Sequence, residues 1–197
     1  MKQAQVEELL LQALETEIGG TQVYETAVQC ALNDDLKEEF GKYLAQTRRH
    51  VEIVEGLLAK FGLDRETSSP GREVVRHTGQ SLVQAMEMAL KEGPPEAAQL
   101  VAAECVTLAE TKDHLNWELL AQLTGQLKGD KAKALKQASE EVEEQEDEHL
   151  YHSTGWAREL WLESLGLPAV IPPPEERKDV KTAIGAARAK QARETEL

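Results

Sequence analysis

Apolar residues recur at helical spacing along four long segments of the chain, and this periodicity constrains the fold more than any other feature. When each residue is turned by about 100°, the apolar residues of one segment fall on a single stripe. In the first segment this stripe contains Val6, Leu10, Leu14 and Tyr24. The predicted helices cover residues 2–31, 34–62, 94–124 and 130–165. Four long amphipathic helices predict an all-α four-helix bundle.

The periodicity weakens between residues 62 and 94, where only the short apolar stretch SLVQAMEMALKEG reads as helix. A connection of about 33 residues can run the length of a bundle, since extended chain reaches about 3.3 Å per residue. We therefore expect a long crossover between helices 2 and 3, which makes these two helices parallel. From residue 168 the chain is rich in proline and charge. The predicted organisation is a bundle over residues 1–167 and a tail over 168–197 that packs on a neighbour or stays mobile.

Composition excludes several classes of partner. The formal net charge of −14 argues against nucleic acid and against anionic membranes, which both require a basic surface, and favours cations. No apolar run reaches about 18 residues, so no membrane span is predicted. The N-terminus lacks the apolar region of a signal peptide, and a cytoplasmic protein is expected. Cys30 and Cys105 form no CxxC pair, so a cysteine-ligated zinc or iron site is not predicted.

Ionisable residues lie on the predicted core faces, where each requires a partner or a metal ion to offset the loss of hydration. These residues are Glu17, His50, Glu104, Glu146 and His149. Glu146 and His149 are spaced i and i+3, which is the Glu-x-x-His spacing of carboxylate-bridged metal sites. The neighbouring acids of the same helix are expected to form a solvated outer face.

The orientation of the third helix follows from its large apolar residues. The predicted stripe contains Val101, Leu108, Leu115 and Leu119. Glu104 lies within about 60° of the centre of this stripe, so it is the predicted inward acid of the helix. Glu110, Asp113 and His114 are expected to face away from the core.

The predicted inward residues also match in height along the bundle. Glu17 and His50 are centred on the turn at Asn33, so they face each other across the first hairpin. Glu104 and His149 are centred on the turn at GQLKG and face each other across the second hairpin. The sequence therefore predicts a metal site inside the bundle.

This pattern resembles the ferritin-like superfamily, which includes bacterioferritins, rubrerythrins and manganese catalases, over about residues 2–165. Those proteins supply one Glu from helix 1, Glu-x-x-His from helix 2, one Glu from helix 3 and Glu-x-x-His from helix 4. Five of the six places are matched here, and Thr47 holds the sixth. The segment LAQTRRHVEIVEGLLAKFG also resembles the second helix of small bacterial ferritin-like stress proteins.

The resemblance implies a non-haem protein that binds one or two iron or manganese ions per subunit. It also implies metal handling or protection from oxidative stress, with O2 or peroxide as co-reactant, and a homo-oligomer of at least two subunits. Whether the protein is a ferroxidase- or peroxidase-like enzyme stays open. Thr47 removes one bridging carboxylate, which leaves both a dinuclear and a mononuclear site open. Zinc competes for such ligands in vitro.

Two alternatives remain open at the sequence level. The inward carboxylates and histidines can form a hydrogen-bond network in a metal-free helical interaction protein. A metal site can instead use Glu148 and His152, spaced i and i+4, if the predicted helix orientation is wrong by a third of a turn. Tyr24 and Tyr43 are predicted core residues, with an electron-relay role as the alternative.

Overall fold

The computed structural model describes residues 2–196. Helix accounts for 83% of the chain, and no strand occurs among the described residues. The helices are α1 (Gln3–Cys30), α2 (Asp34–Phe61), α3 (Pro70–Glu92), α4 (Pro95–Thr124), α5 (Gly129–Ser164), α6 (Pro174–Arg177) and α7 (Ala183–Glu196). The prediction of an all-helical chain is confirmed. None of the described helices is both long enough and apolar enough to cross a membrane.

Local sequence signals set the ends of the first helical hairpin. The Asn33 side chain accepts a hydrogen bond from the backbone N–H of Leu36 and so caps α2 at its N-terminus. Gly62 ends α2 in the left-handed conformation, with φ of 77°, which an L residue adopts only with strain. On the second hairpin, α5 begins at Gly129, one residue before the predicted cap at Asp130.

Side-chain contacts show the direction of α1 against its two partners. Glu17 lies beside His50 of α2 and Glu25 bonds Arg48 of the same helix, so α1 and α2 are antiparallel. Tyr24 of α1 bonds Glu110 of α4, and residues earlier in α1 bond residues later in α4, so these helices are also antiparallel. Helices α2 and α4 consequently run in the same direction, as predicted from the long crossover.

The crossover contains a longer helix than the predicted short one. Helix α3 begins at Pro70, with Ser69 as its N-terminal cap. It lies close against α1, because a Cβ atom built on Gly79 would be 3.5 Å from the Cα of Gly19. Glu15 of α1 ties the two helices together through ion pairs with Arg72 and Arg76, both at 2.7 Å.

The bundle interior consists of two apolar clusters. One cluster contains Tyr24, Phe40, Tyr43, Val106 and Trp156 among others. The other contains Leu14, Val54, Trp117, Leu120 and Val142 among others. The buried residues Glu17 of α1, His50 of α2, Glu110 of α4, and Glu146 and His149 of α5 lie in sequence between members of the two clusters. A polar layer therefore crosses the middle of the bundle.

The C-terminal segment packs on the chain's own α5. Glu175 of α6 is buried and makes two hydrogen bonds of 2.8 Å to the guanidinium group of Arg158 on α5. Glu159 of α5 accepts hydrogen bonds from Arg193 of α7 and from the backbone N–H of Val170. Paired charges and buried backbone contacts give this segment a defined place despite its polar composition.

Candidate metal centre

Four helices each contribute buried ionisable side chains to the polar layer. Helix α1 provides Glu17, α2 provides His50, α4 provides Glu110, and α5 provides Glu146 and His149. Each of these residues is at most 2% exposed. Helical geometry explains the pair on α5, because residues three apart share one face.

These five residues form two groups that share Glu146. One group is Glu17, His50 and Glu146, and the other is Glu110, Glu146 and His149. In each group one candidate ligand atom per residue lies within 4.8 Å of the others, and no further group of this kind exists among the described residues. Each group has the residue types of a metal site, and Glu146 is common to both.

The first group is the tighter of the two. The Nδ1 atom of His50 lies 3.1 Å from Oε1 of Glu146 and 3.6 Å from Oε2 of Glu17. In the second group, Nδ1 of His149 lies 3.5 Å from Oε2 of Glu110 and 3.7 Å from Oε1 of Glu146. Both histidines thus turn the same ring nitrogen towards the carboxylates.

Two glutamines hold the opposite ring nitrogens. The side-chain oxygen of Gln145 on α5 lies 2.9 Å from Nε2 of His50, and that of Gln46 on α2 lies 2.8 Å from Nε2 of His149. An Nε2–H that donates to the amide oxygen leaves Nδ1 to face the carboxylates. Each histidine is oriented by a glutamine from the facing helix, which is the kind of support that metal-ligating histidines have.

The carboxylates of α1 and α4 are each held through one oxygen. Trp117 donates its indole N–H to Oε1 of Glu17, and Tyr24 donates its hydroxyl to Oε1 of Glu110, both at 2.7 Å. Each of these hydrogen bonds fixes the orientation of its carboxylate. The second oxygen, Oε2, makes no hydrogen bond in either residue.

Six side-chain atoms of the layer have no hydrogen-bond partner of suitable geometry, although Nδ1 of His50 and Oε1 of Glu146 are 3.1 Å apart. They are Oε2 of Glu17, Oε2 of Glu110, both oxygens of Glu146, and Nδ1 of His50 and His149. Buried polar atoms are almost always paired, because an unpaired one costs about 1–3 kcal/mol. Six such atoms in two groups match the positions where metal–ligand bonds would form.

The charged groups of the layer shift one another's pKa values. Burial raises the pKa of Glu146 to about 7, and Glu110 and Glu17 add to the increase. Burial lowers the pKa of His50, but interactions with Glu146 and Glu17 outweigh it and raise the pKa to about 11. Without metal, His50 is therefore protonated at neutral pH and partly neutralises the carboxylates.

Asp113 is a further acid of this layer, one helical turn after Glu110. It is 4% exposed, and its Oδ1 has no hydrogen-bond partner. Burial raises its pKa well above the usual range, and the charges of Glu17, Glu146 and Glu110 add to this effect. The surroundings of Asp113 thus favour its protonated form.

The structure brings together four of the five predicted site residues, and Glu104 is the exception. Glu104 is exposed, and its Oε1 accepts a hydrogen bond of 2.9 Å from the indole N–H of Trp161. The predicted inward orientation of Glu104 is wrong, as is the predicted outward orientation of Glu110 and Asp113. His114 is half-buried and pairs with Asp147 at 2.7 Å.

The large leucines of α4 are the reason for this error. Leu108, Leu115 and Leu119 are 61%, 46% and 43% exposed. The core face of α4 instead carries small residues: Ala98, Ala102, Ala103, Cys105 and Val106. Glu110 shares the face of these small residues and of Trp117, a pattern that would have identified it.

Thr47 is buried beside the site but bonds within its own helix. It is 2% exposed, and its hydroxyl donates to the backbone oxygen of Tyr43 at 2.9 Å. A Cβ atom built on Gly20 of α1 would lie 3.2 Å from the Thr47 methyl group. The close approach of α1 therefore leaves little space at this position.

The alternative pair, Glu148 and His152, does not form a metal-ligand group among the described residues. Glu148 forms an ion pair with Lys42. His152 is buried, and its Nδ1 lies 2.7 Å from Oε1 of Glu39. The two residues thus have separate charge partners.

The two tyrosines lie in the core, as predicted, and both touch the layer. Tyr24 holds Glu110, as described above. The ring of Tyr43 lies 4.1 Å from the ring of His149, measured between centroids, and its hydroxyl donates to Glu39 at 2.5 Å. Burial and neighbouring acids raise the pKa of both tyrosines.

A cavity of about 270 Å³ between α4 and α5 reaches the layer from outside. Glu146 lines it, together with Trp117 and the pair His114 and Asp147. Its acidic lining favours cations and small neutral molecules over anions.

Comparisons with protein-family models, with curated proteins and with solved structures gave no match.

Proposed function

We propose that this chain is a ferritin-like, non-haem metal-binding protein whose bundle holds two divalent ions. Glu17 and His50 would bind one ion, Glu110 and His149 the other, and Glu146 both. The observation that carries this proposal is the set of six buried, unpartnered ligand atoms in two groups around one shared carboxylate. Carboxylate oxygens with imidazole nitrogens suit iron or manganese, while zinc can compete in vitro.

The charge count supports two ions only with an additional negative group. Glu17, Glu110 and Glu146 supply three negative charges against four positive charges. Ionisation of Asp113, or a hydroxide ion, would complete the balance. With neither, the site would hold a single ion between Glu110, Glu146 and His149.

The proposed setting is metal handling or protection from oxidative stress in the cytoplasm. The ions would supply redox chemistry with O2 or peroxide, which fits the cavity that reaches Glu146. The chain's own residues orient the ligands, exclude bulk water and position the Tyr24 hydroxyl against Glu110. The exposed Leu115 and Leu119 of α4 favour a homo-oligomer of at least two subunits.

A second candidate function is a metal-free helical interaction protein with a buried charge network. The raised pKa of His50, to about 11, favours it, because a protonated His50 neutralises part of the negative charge without metal. The unpartnered Oε2 atoms of Glu110 and Glu146 argue for metal instead.

Metal content distinguishes the two functions. The protein is purified without chelator from cells supplied with iron and manganese, and bound metal is measured by mass spectrometry. We expect one to two ions per chain, and a loss of most of this metal in Glu146→Ala and in His149→Ala. Glu144→Ala, at an exposed position of the same helix, is the matched control and should keep the metal. Equal metal content in all variants, or none in the wild type, would reject the metal site.

A further inference from the structure

A second cavity, of about 470 Å³, opens between α1, α3 and α4 and shares no residue with the candidate metal centre. Its apolar lining residues are Val23, Val74, Val75, Leu82, Leu108 and Ala109. Gly19 and Gly79 lie where α1 and α3 approach closely, and their missing side chains leave the space beside them open. The volume is in the range of small-molecule sites, about 300–1,000 Å³.

The charged groups of this cavity leave one cation without a charge partner. Glu15 lines the cavity, but both of its oxygens are bound by Arg72 and Arg76 at distances of 2.7 to 3.0 Å. Lys112 also lines it, and the Lys112 amine donates to the side-chain oxygen of Asn116. Among the described residues Lys112 forms no ion pair, and the acid that acts on its pKa is Asp113, whose own pKa is raised well above the usual range. A half-buried ammonium group without an ion-pair partner thus stands at an apolar cavity.

We propose that this cavity binds a free fatty acid, with the acyl chain against the valines and leucines and the carboxylate on Lys112. An ammonium group without an anionic partner is complementary to a carboxylate, and the apolar walls are complementary to a hydrocarbon chain. The exposed rim residues Val74 (65%) and Leu108 (61%) would be covered by the same ligand. This site is independent of the proposed metal function.

The test compares laurate with dodecanol, which has the same chain length without the charge. Binding of each is measured by isothermal titration calorimetry, below micelle concentrations, on the wild type and on Lys112→Met. We expect Lys112→Met to weaken laurate binding at least tenfold and to change dodecanol binding less than twofold. Lys91→Met, at an exposed lysine on α3, is the control and should bind laurate like the wild type. From octanoate to laurate, affinity should increase about three- to fourfold per methylene.

A second variant controls for the possibility that Lys112→Met acts through a folding defect. Val75→Trp fills the cavity without changing charge and should weaken laurate and dodecanol alike, while the helical circular-dichroism signal stays unchanged. All titrations are repeated with and without Mn²⁺, so that the outcome does not depend on the metal centre.

Several outcomes would overturn the proposal. These are no laurate binding to the wild type, equal binding to Lys112→Met, or binding to phosphatidylglycerol vesicles in place of free laurate. Concentration-dependent dimers that Leu108→Lys abolishes, together with no effect of laurate, would assign this face to a second copy of the chain.

Discussion

Glu146 belongs to both ligand groups, and neither of its oxygens has a hydrogen-bond partner. Its surroundings raise its pKa to about 7, whereas His50 beside it has a pKa raised to about 11. At neutral pH without metal, the layer therefore retains protons that metal binding would displace. Metal uptake should release protons and should strengthen as pH rises.

This protonation gives the metal-free protein a defined pH dependence. A raised pKa means that the folded state binds its proton more strongly than the unfolded chain, so stability is lost as pH rises. For Glu146 the loss occurs between about pH 4.5 and 7, and for His50 between about pH 6.5 and 11. We expect the melting temperature of metal-free protein to fall by several degrees from pH 5 to pH 9, at about 2–4 °C for each kcal/mol.

Glu146→Gln supplies the control for this pH dependence, because it removes the titrating group and keeps the shape. Its melting temperature should change less between pH 5 and pH 7 than that of the wild type. Differential scanning calorimetry in the presence of a chelator measures both proteins. A wild-type melting temperature that rises over this range would show that the layer does not hold protons as described.

Glu110 and Glu104 lie on the same helix, and substitutions of the two test which of them is a metal ligand. Glu110 is 2% exposed and lies 3.5 Å from His149, whereas Glu104 is exposed. Glu110→Gln should weaken metal binding about 10- to 100-fold, because it removes a charged ligand atom, and Glu104→Gln should leave it unchanged. Anaerobic titration with Mn²⁺ measures both affinities. A larger loss in Glu104→Gln would restore the orientation predicted from the leucines.

At the scale of helices, α4 shows why the sequence predicted most of the layer and missed part of it. On α1, α2 and α5, large apolar residues occupy the core face, so their periodicity placed Glu17, His50, Glu146 and His149 correctly. On α4 alanines line much of the core face, and Leu108, Leu115 and Leu119 lie outside. The size of the apolar residues therefore indicated the wrong face of α4 and predicted that Glu104, and not Glu110, points inward.

Two leucines of α4 test this helix orientation directly. Leu120 is fully buried, whereas Leu115 is 46% exposed. Leu120→Ala should lower the free energy of unfolding by about 2–5 kcal/mol, since it leaves a cavity in the core. Leu115→Ala should change it by no more than about 0.5 kcal/mol. Urea unfolding followed by circular dichroism measures both, and equal losses would contradict the orientation of α4.

The supporting residues of the site were beyond sequence reasoning for a different reason. Within their own helices, Gln46 and Gln145 look like ordinary half-buried polar residues. Only the packing of α2 against α5 brings them to the histidines. The roles of Trp117 and Tyr24 likewise depend on the distance between α1 and α4. Such contacts between helices leave no periodic signal within one helix.

For the whole molecule, the four helices α1, α2, α4 and α5, the long crossover and the parallel direction of α2 and α4 were predictable from periodicity and connection length. The length of α3 was not, because its first ten residues, PGREVVRHTG, contain only two large apolar residues, Val74 and Val75. The position of the tail depends on ion pairs such as Glu175 with Arg158, which helical periodicity does not reveal. The polar layer lies between the two apolar clusters and contains the proposed metal ligands.

The most direct test of this account is an anomalous-scattering map of crystals grown with Mn²⁺ or Fe²⁺ and without chelator. We expect two peaks in this map, one between Glu17 and His50 and one between Glu110 and His149, with Glu146 in contact with both. A single peak at Glu110, Glu146 and His149 would retain the centre and reject the second ion. No peak in the layer, or a peak at His152 and Glu39 instead, would contradict the central claim.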